Sequence, residues 1–229
     1  QISIYEQHHR LSIHSRSYPT LPIPFGLHVR SLLGNLPDPS AFIICNLKLL
    51  KVLDLSTLDL SMHKPTGMDV LVLLRFLAVS SIPPSIEIFE NLKFLFVDNK
   101  EVDEIPEILF NIMKLRHVHF SGGAKFSESW RMRAAMDESF QENNLENFSS
   151  IFISDENDEK ILKCSPHLRR LKCRITFFWD SSENNYRYPS LEFLKQLESL
   201  NISFRPSYIP DDAIPDLTSL PWNLKKLTL

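Results

Sequence analysis

One short pattern keeps returning along the chain: an apolar residue, two variable residues, an apolar residue, one variable residue, and a further apolar residue. It reads Leu50-Lys-Val-Leu53-Asp-Leu55, Leu74-Arg-Phe-Leu77-Ala-Val79 and Leu92-Lys-Phe-Leu95-Phe-Val97. It returns as Leu115-Arg-His-Val118-His-Phe120, Phe148-Ser-Ser-Ile151-Phe-Ile153 and Leu168-Arg-Arg-Leu171-Lys-Cys173. Leu197-Glu-Ser-Leu200-Asn-Ile202 and Leu224-Lys-Lys-Leu227-Thr-Leu229 complete the set. With Leu53 as reference, the equivalents are Leu11, Leu32, Leu53, Leu77, Leu95, Val118, Ile151, Leu171, Leu200 and Leu227. They are separated by 21, 21, 24, 18, 23, 33, 20, 29 and 27 residues.

Self-similarity at this period confines the chain to a small set of architectures. A three- or four-residue strand with alternating side chains cannot bury its apolar face alone. Leu53 and Leu55 are expected to point inward and Asp54 outward. Parallel copies that stack share one core. The predicted fold is therefore α/β: a leucine-rich-repeat solenoid with a curved parallel β-sheet on its concave face and short helices and irregular loops on the convex side. About ten irregular repeats form a single domain over residues 1–229. Such a fold works by presenting a surface.

Composition narrows the function further. A hydrophobic content of 43% suffices for a continuous core, and the net charge of −3 offers no global attraction for nucleic acid. The three cysteines, Cys45, Cys164 and Cys173, lack CxxC spacing, so they read as buried thiols of a reducing compartment. No apolar run is long enough to cross a bilayer, and no secretory signal opens the sequence. Gln1 stands where an initiator methionine would, and Leu229 falls inside a repeat strand, so a piece of a longer protein is expected.

The outer segments vary. Ile82-Pro83-Pro84-Ser-Ile86 and Ile105-Pro106-Glu-Ile108-Leu109 predict outer loops with no ladder to join, because proline lacks the donor. Residues 121–147 lengthen one repeat, with Ser121-Gly122-Gly123 as a turn signal and a short helix expected between Glu128 and Glu138. Asp155-Glu-Asn-Asp-Glu159 suits the positive end of another outer helix. Trp179-Asp-Ser-Ser-Glu-Asn-Asn185 reads as a polar loop.

Several segments resemble plant intracellular immune receptors of the nucleotide-binding, leucine-rich-repeat type. Arg10-Leu-Ser-Ile-His14, Val29-Arg-Ser-Leu-Leu33 and Leu50-Lys-Val-Leu-Asp-Leu55 look like the opening strands of their repeat domain. Gln141-Glu-Asn-Asn-Leu145, residues 161–173 and Pro221-Trp-Asn-Leu-Lys-Lys-Leu-Thr-Leu229 are similar to repeats of the coiled-coil class that includes the potato late-blight resistance proteins. The resemblance implies a cytoplasmic receptor, with peripheral membrane association open to the full-length protein. Its repeats would detect a pathogen effector or a guarded host protein. They would also contact a nucleotide-binding domain that exchanges ADP for ATP and triggers the hypersensitive defence response. No GxxxxGK[ST] phosphate loop occurs here, so the nucleotide would belong to a domain upstream.

On this fold the variable strand positions form the candidate surface. Phe76, Phe94, Phe96 and Phe152 are large apolar residues at outward positions, which often marks a partner site. Arg169, Arg170, Lys172 and Arg174 form a basic group suited to carboxylates, with Lys225 and Lys226 as an extension. Arg116, His117 and His119 complete the candidate partner-binding set. His117 and His119 share one side of a strand, but a zinc site needs further ligands that the neighbouring sequence does not offer. No catalytic signature such as GxSxG or HExxH appears, so no enzyme, no bound cofactor and no metal are expected in this chain. The alternative reading is a repeat adaptor, such as the substrate-recognition part of a ubiquitin-ligase receptor. An extracellular ectodomain would instead show regular repeats with LxGxIP segments and cysteine caps.

Overall fold

The computed structural model describes residues 9–13, 28–34, 47–57, 68–136, 140–176, 178–180, 185–187, 189–204 and 220–229. His14, Cys45 and residues 181–184 of the expected polar loop lie outside them. The chain groups into two compact units, Gln1–Asn99 and Lys100–Leu229.

Among the described residues of the first unit five short strands run parallel in chain order: β1 (Arg10–Ile13), β2 (Ser31–Gly34), β3 (Val52–Leu55), β4 (Phe76–Val79) and β5 (Phe94–Val97). Leu11, Leu32, Leu53, Leu77 and Leu95 stand opposite one another in a single register. Leu32, Leu53, Leu77 and Leu95 are buried, as are Leu55, Val79 and Val97 two residues further on. The apolar residue three before the strand leucine is also enclosed, at Leu50, Leu74 and Leu92. A tight turn sets it there: the Leu50, Leu74 and Leu92 amides donate to the carbonyls of Leu47, Leu71 and Phe89, three residues back. Those three side chains are buried too, so each of these three repeats sends four such apolar side chains into the interior.

Among the described residues, the return arms of this unit hold two 3₁₀ turns, Met68–Val70 and Ile86–Ile88. The proline pair fits the second, since the Ile86 amide closes the turn on the Pro83 carbonyl.

The second unit continues the repeat with β7 (His117–Phe126), β8 (Asn147–Ile153), β9 (Arg170–Ile175), β12 (Ser199–Phe204) and β13 (Lys226–Thr228), parallel in that order. Here the sequence reading needs correction. The residue equivalent to Val118 and Leu171 is Phe148, not Ile151. Ser150 is an extra residue, and Ile151 stands opposite Cys173. The strand motif of this repeat is thus Leu145-Glu-Asn-Phe148, and Leu145, Phe148, Ile151 and Ile153 are all buried.

Two other expectations change. Ile105 ends a short strand, β6 (Asp103–Ile105), which pairs in parallel with the far end of β7. The segment before Pro106 therefore does join a ladder, and the proline sits just after it, where no donor is needed. The polar loop contributes an antiparallel ribbon, β10 (Phe178–Asp180) against β11 (Asn185–Arg187).

Among the described residues this unit also holds two α-helices. α1 (Glu128–Ala135) buries Trp130 and Ala134. Trp130 packs against Phe110 and Phe126, with ring centroids 4.6 and 5.3 Å away, and Phe148 joins the same cluster. α2 (Glu156–Leu162) is capped by Asp155, whose carboxylate accepts from the amides of Asn157 and Asp158. A buried asparagine, Asn143, replaces the missing turn before β8. Its backbone amide donates to Cys164 O and its side-chain amide to Ser165 Oγ, while its side-chain oxygen accepts from Leu145 N.

Candidate functional site

With the inward positions of β3, β4, β5, β7, β8, β9 and β12 filled by apolar side chains, those strands offer their outward positions to a partner. In the first unit, Phe76 and Phe94 are register partners whose rings lie 6.4 Å apart and tilted. Phe94 is 42% exposed, which is unusual for a phenylalanine in a strand. Phe96 stands opposite Ala78 and is half-buried.

Beside this aromatic pair runs a feature that single-repeat reading misses. The carbonyls of His9, Arg30, Lys51 and Arg75 each accept two successive amides at the start of the next strand. This fixes His9, Arg30, Lys51, Arg75 and Lys93 as one column, one residue per repeat. Four cations and an imidazole therefore stand at neighbouring strand spacings of about 4.8 Å. Among the described residues none of the four cations is ion-paired. Comparing the first variable residue of each motif across repeats would have found the column.

The same column in the second unit is Arg116, Glu146, Arg169, Glu198 and Lys225, set by the same carbonyl pattern. Its charges alternate. Arg116 pairs with Glu146 at 3.6 Å and Lys225 with Glu198 at 3.2 Å. Arg169 stands between Glu146 and Glu198, so the basic group seen in sequence is balanced at this position. Arg170, Lys172 and Arg174 remain exposed on β9. The Arg174 guanidinium lies 5.0 Å from the centroid of the Phe152 ring, which it overlies. Phe152 thus belongs with the basic residues of this unit.

His117 and His119 are both half-buried on the outward side of β7. Burial, the first cause, lowers the His117 pKa; the Glu146 carboxylate opposes this and Arg170 and Arg116 reinforce it. The ring is therefore neutral near pH 7, consistent with Nδ1 accepting from the Asn147 amide. No trio of His, Cys, Asp or Glu converges among the described residues to hold a metal. Cys164 and Cys173 are buried free thiols, with burial pushing the first up to about 11 and the second to about 12. Among the described residues no helix is long and apolar enough to cross a membrane.

The repeat geometry and the sequence point the same way. The chain is 32% identical over 200 residues to the late blight resistance protein homolog R1B-14 of Solanum demissum. It is 32% identical over 198 residues to a second late blight resistance protein homolog of the same species. These matches take in 83% and 82% of the chain. The chain is a leucine-rich-repeat relative of the late blight resistance protein homologs. It spans only 14% and 24% of the length of those two relatives. No protein-family model matches it.

Among solved structures, a leucine-rich-repeat protein of Leptospira interrogans superposes with a TM-score of 0.59 at 16% identity, covering the whole chain and 56% of that protein. An internalin of Listeria monocytogenes reaches a TM-score of 0.50 at 16% identity, over 88% of this chain and 61% of that one. At such identities the likeness is one of fold, the leucine-rich-repeat solenoid, and it agrees with the parallel strand order within each unit.

Proposed function

We propose that this chain is the recognition and autoregulatory repeat region of a plant intracellular immune receptor. Its outward strand positions bind a pathogen effector or a guarded host protein in the cytoplasm. In the resting receptor they also contact a nucleotide-binding domain, where ADP gives way to ATP and hypersensitive cell death is triggered. The role is binding, and the switching chemistry belongs to that other domain.

The observation that carries this reading is the outward Phe76–Phe94 pair, Phe94 exposed and Phe76 half-buried, next to the exposed Arg75 and Lys93. These side chains stand on strands whose interior is already complete, so the fold does not need them outward. An aromatic pair flanked by cations is the composition of an interface hot spot. Kinship with late blight resistance protein homologs supplies the biological setting.

The test is a full-length receptor carrying Phe76→Ser, Phe94→Ser and Arg170→Glu, expressed in leaf tissue and checked for accumulation. The expected result is loss of effector-triggered cell death or the onset of effector-independent cell death. An unchanged response together with unchanged resting silence would refute the proposal.

A further inference from the structure

The strand ladder of the second unit is interrupted at one place, and a polar cavity opens there. Between His119 and Ala124, β7 carries four residues where β8 has only Ser150. Between β8 and β9, Ser150 again has no counterpart. Such bulges disrupt pairing locally and re-aim side chains. Ser150 and Gly123 both take positive φ, 66° and 107°. The resulting cavity has a volume of about 100 Å³, and its lining includes Ser121, Ser150, Phe152, Lys172, Arg174 and Ser203.

The chemistry of that lining is one-sided. Three hydroxyls, from Ser121, Ser150 and Ser203, come from three different strands. Two cations, Lys172 and Arg174, come from a fourth. Among the described residues the lining contains no carboxylate. Arg174 is steadied over the Phe152 ring, and the bulge at Gly123 leaves room for that ring. Two positive charges and several hydroxyl donors around a small space match a dianion with three acceptor oxygens better than a carboxylate with two.

We propose that this bulge cavity is a phosphoryl-binding site, and that its occupant is a phosphorylated serine or threonine on a protein partner. The identity of the occupant as a protein rests on the recognition role proposed above. The phosphoryl site itself rests only on the cavity. Lys172 and Arg174 neutralise the group, Ser150 and Ser203 donate hydroxyls to its oxygens, and the Phe152 ring forms one wall.

The experiment is calorimetric titration of the full 229-residue chain. The probes are inorganic phosphate, a phosphoserine peptide, the same peptide unphosphorylated, and vesicles containing phosphatidylserine. The phosphoserine peptide is expected to bind at least about tenfold more tightly than its unphosphorylated form, with inorganic phosphate competing. Lys172→Ala and Arg174→Ala should each weaken it by about tenfold or more, as loss of a charge-assisted hydrogen bond does. Ser150→Gly, which suits the backbone, should weaken it by a smaller factor of about three.

Binding that ignores the phosphate, or an affinity unmoved by Lys172→Ala and Arg174→Ala in chains with native circular dichroism, would overturn the site. Binding to the vesicles alone would overturn it in favour of a lipid surface. Binding of inorganic phosphate without preference for the phosphopeptide would keep the site and overturn its protein occupant. None of these outcomes bears on the leaf assay of Phe76, Phe94 and Arg170, so the two proposals fail separately.

Discussion

Gly123 and Phe152 sit so close across the β7–β8 bulge that a Cβ built on the glycine would lie 2.6 Å from the phenylalanine Cε2. Real Cβ contacts do not come that near, and φ at Gly123 is 107°, where L-residues are strained. Gly123→Ala is therefore expected to destabilise the second unit by about 2–4 kcal/mol, combining backbone strain and overpacking. Adding Phe152→Ala should relieve the steric part and leave the backbone part. Denaturant unfolding of the two single variants and the double variant checks this. Additive losses would show that the contact has no energetic weight.

Asp158 sets a dependence on pH. Its side chain is 3% exposed and faces Arg131 Nε at 3.2 Å, without an aligned hydrogen bond. Its other oxygen accepts from the Ser154 amide at 2.7 Å. Burial, reinforced by the Asp155 charge and opposed by the Ser154 hydrogen bond and Arg131, raises its pKa from 3.8 to about 6. Arg131 is less enclosed. Burial pulls its pKa down, but Asp158, Asp155 and Glu128 together outweigh this and raise it.

The folded state thus holds the Asp158 proton longer than the unfolded chain does. The stabilisation is complete below pH about 4 and is lost as pH rises through about 6. Two pH units correspond to roughly 3 kcal/mol. Urea unfolding of the native chain and Asp158→Asn at pH steps from 4 to 7 should show this decline only in the native chain. Parallel curves would contradict it.

How far these features were legible in sequence depends on where the repeat is regular. In the first unit, the spacing of Leu32, Leu53, Leu77 and Leu95 gave strand, register and inward face together, because a one-residue slip would put every leucine outward. At Phe148 the same reasoning failed. Phe148-Ser-Ser-Ile151 satisfies the motif as well as Leu145-Glu-Asn-Phe148 does, and both sets are apolar. Ser150 adopts a left-handed conformation that its identity does not announce, so the bulge was invisible. Gly122-Gly123 did signal irregularity, but as a bulge within a long strand rather than the end of one. The cavity beside it depends on residues from four strands and has no signature in any single repeat.

The two described thiols should be chemically silent in the native chain. At pH 8, raising the Cys164 pKa from 9.0 to about 11 lowers its thiolate fraction by roughly a hundredfold, and Cys173, at about 12, falls further. In a Cys45→Ser background, alkylation should proceed at least about a hundredfold more slowly in buffer than in denaturant. Rapid modification of native Cys173 would mean that its strand does not face the interior.

The basic column of the first unit should detract from stability. Arg75 stands between Lys51 and Lys93 on adjacent strands, and like charges at that spacing repel. The second unit shows the alternative arrangement, with Glu146 and Glu198 interleaved between Arg116, Arg169 and Lys225. Arg75→Glu should copy it, giving the first unit an alternating run and raising stability by up to about 1 kcal/mol at low ionic strength. The gain should shrink in high salt, where exposed charges are screened. If the column serves recognition, the same variant, more stable than the native chain, will lose response in the leaf assay. A variant that is both more stable and fully responsive would assign the column no part in binding.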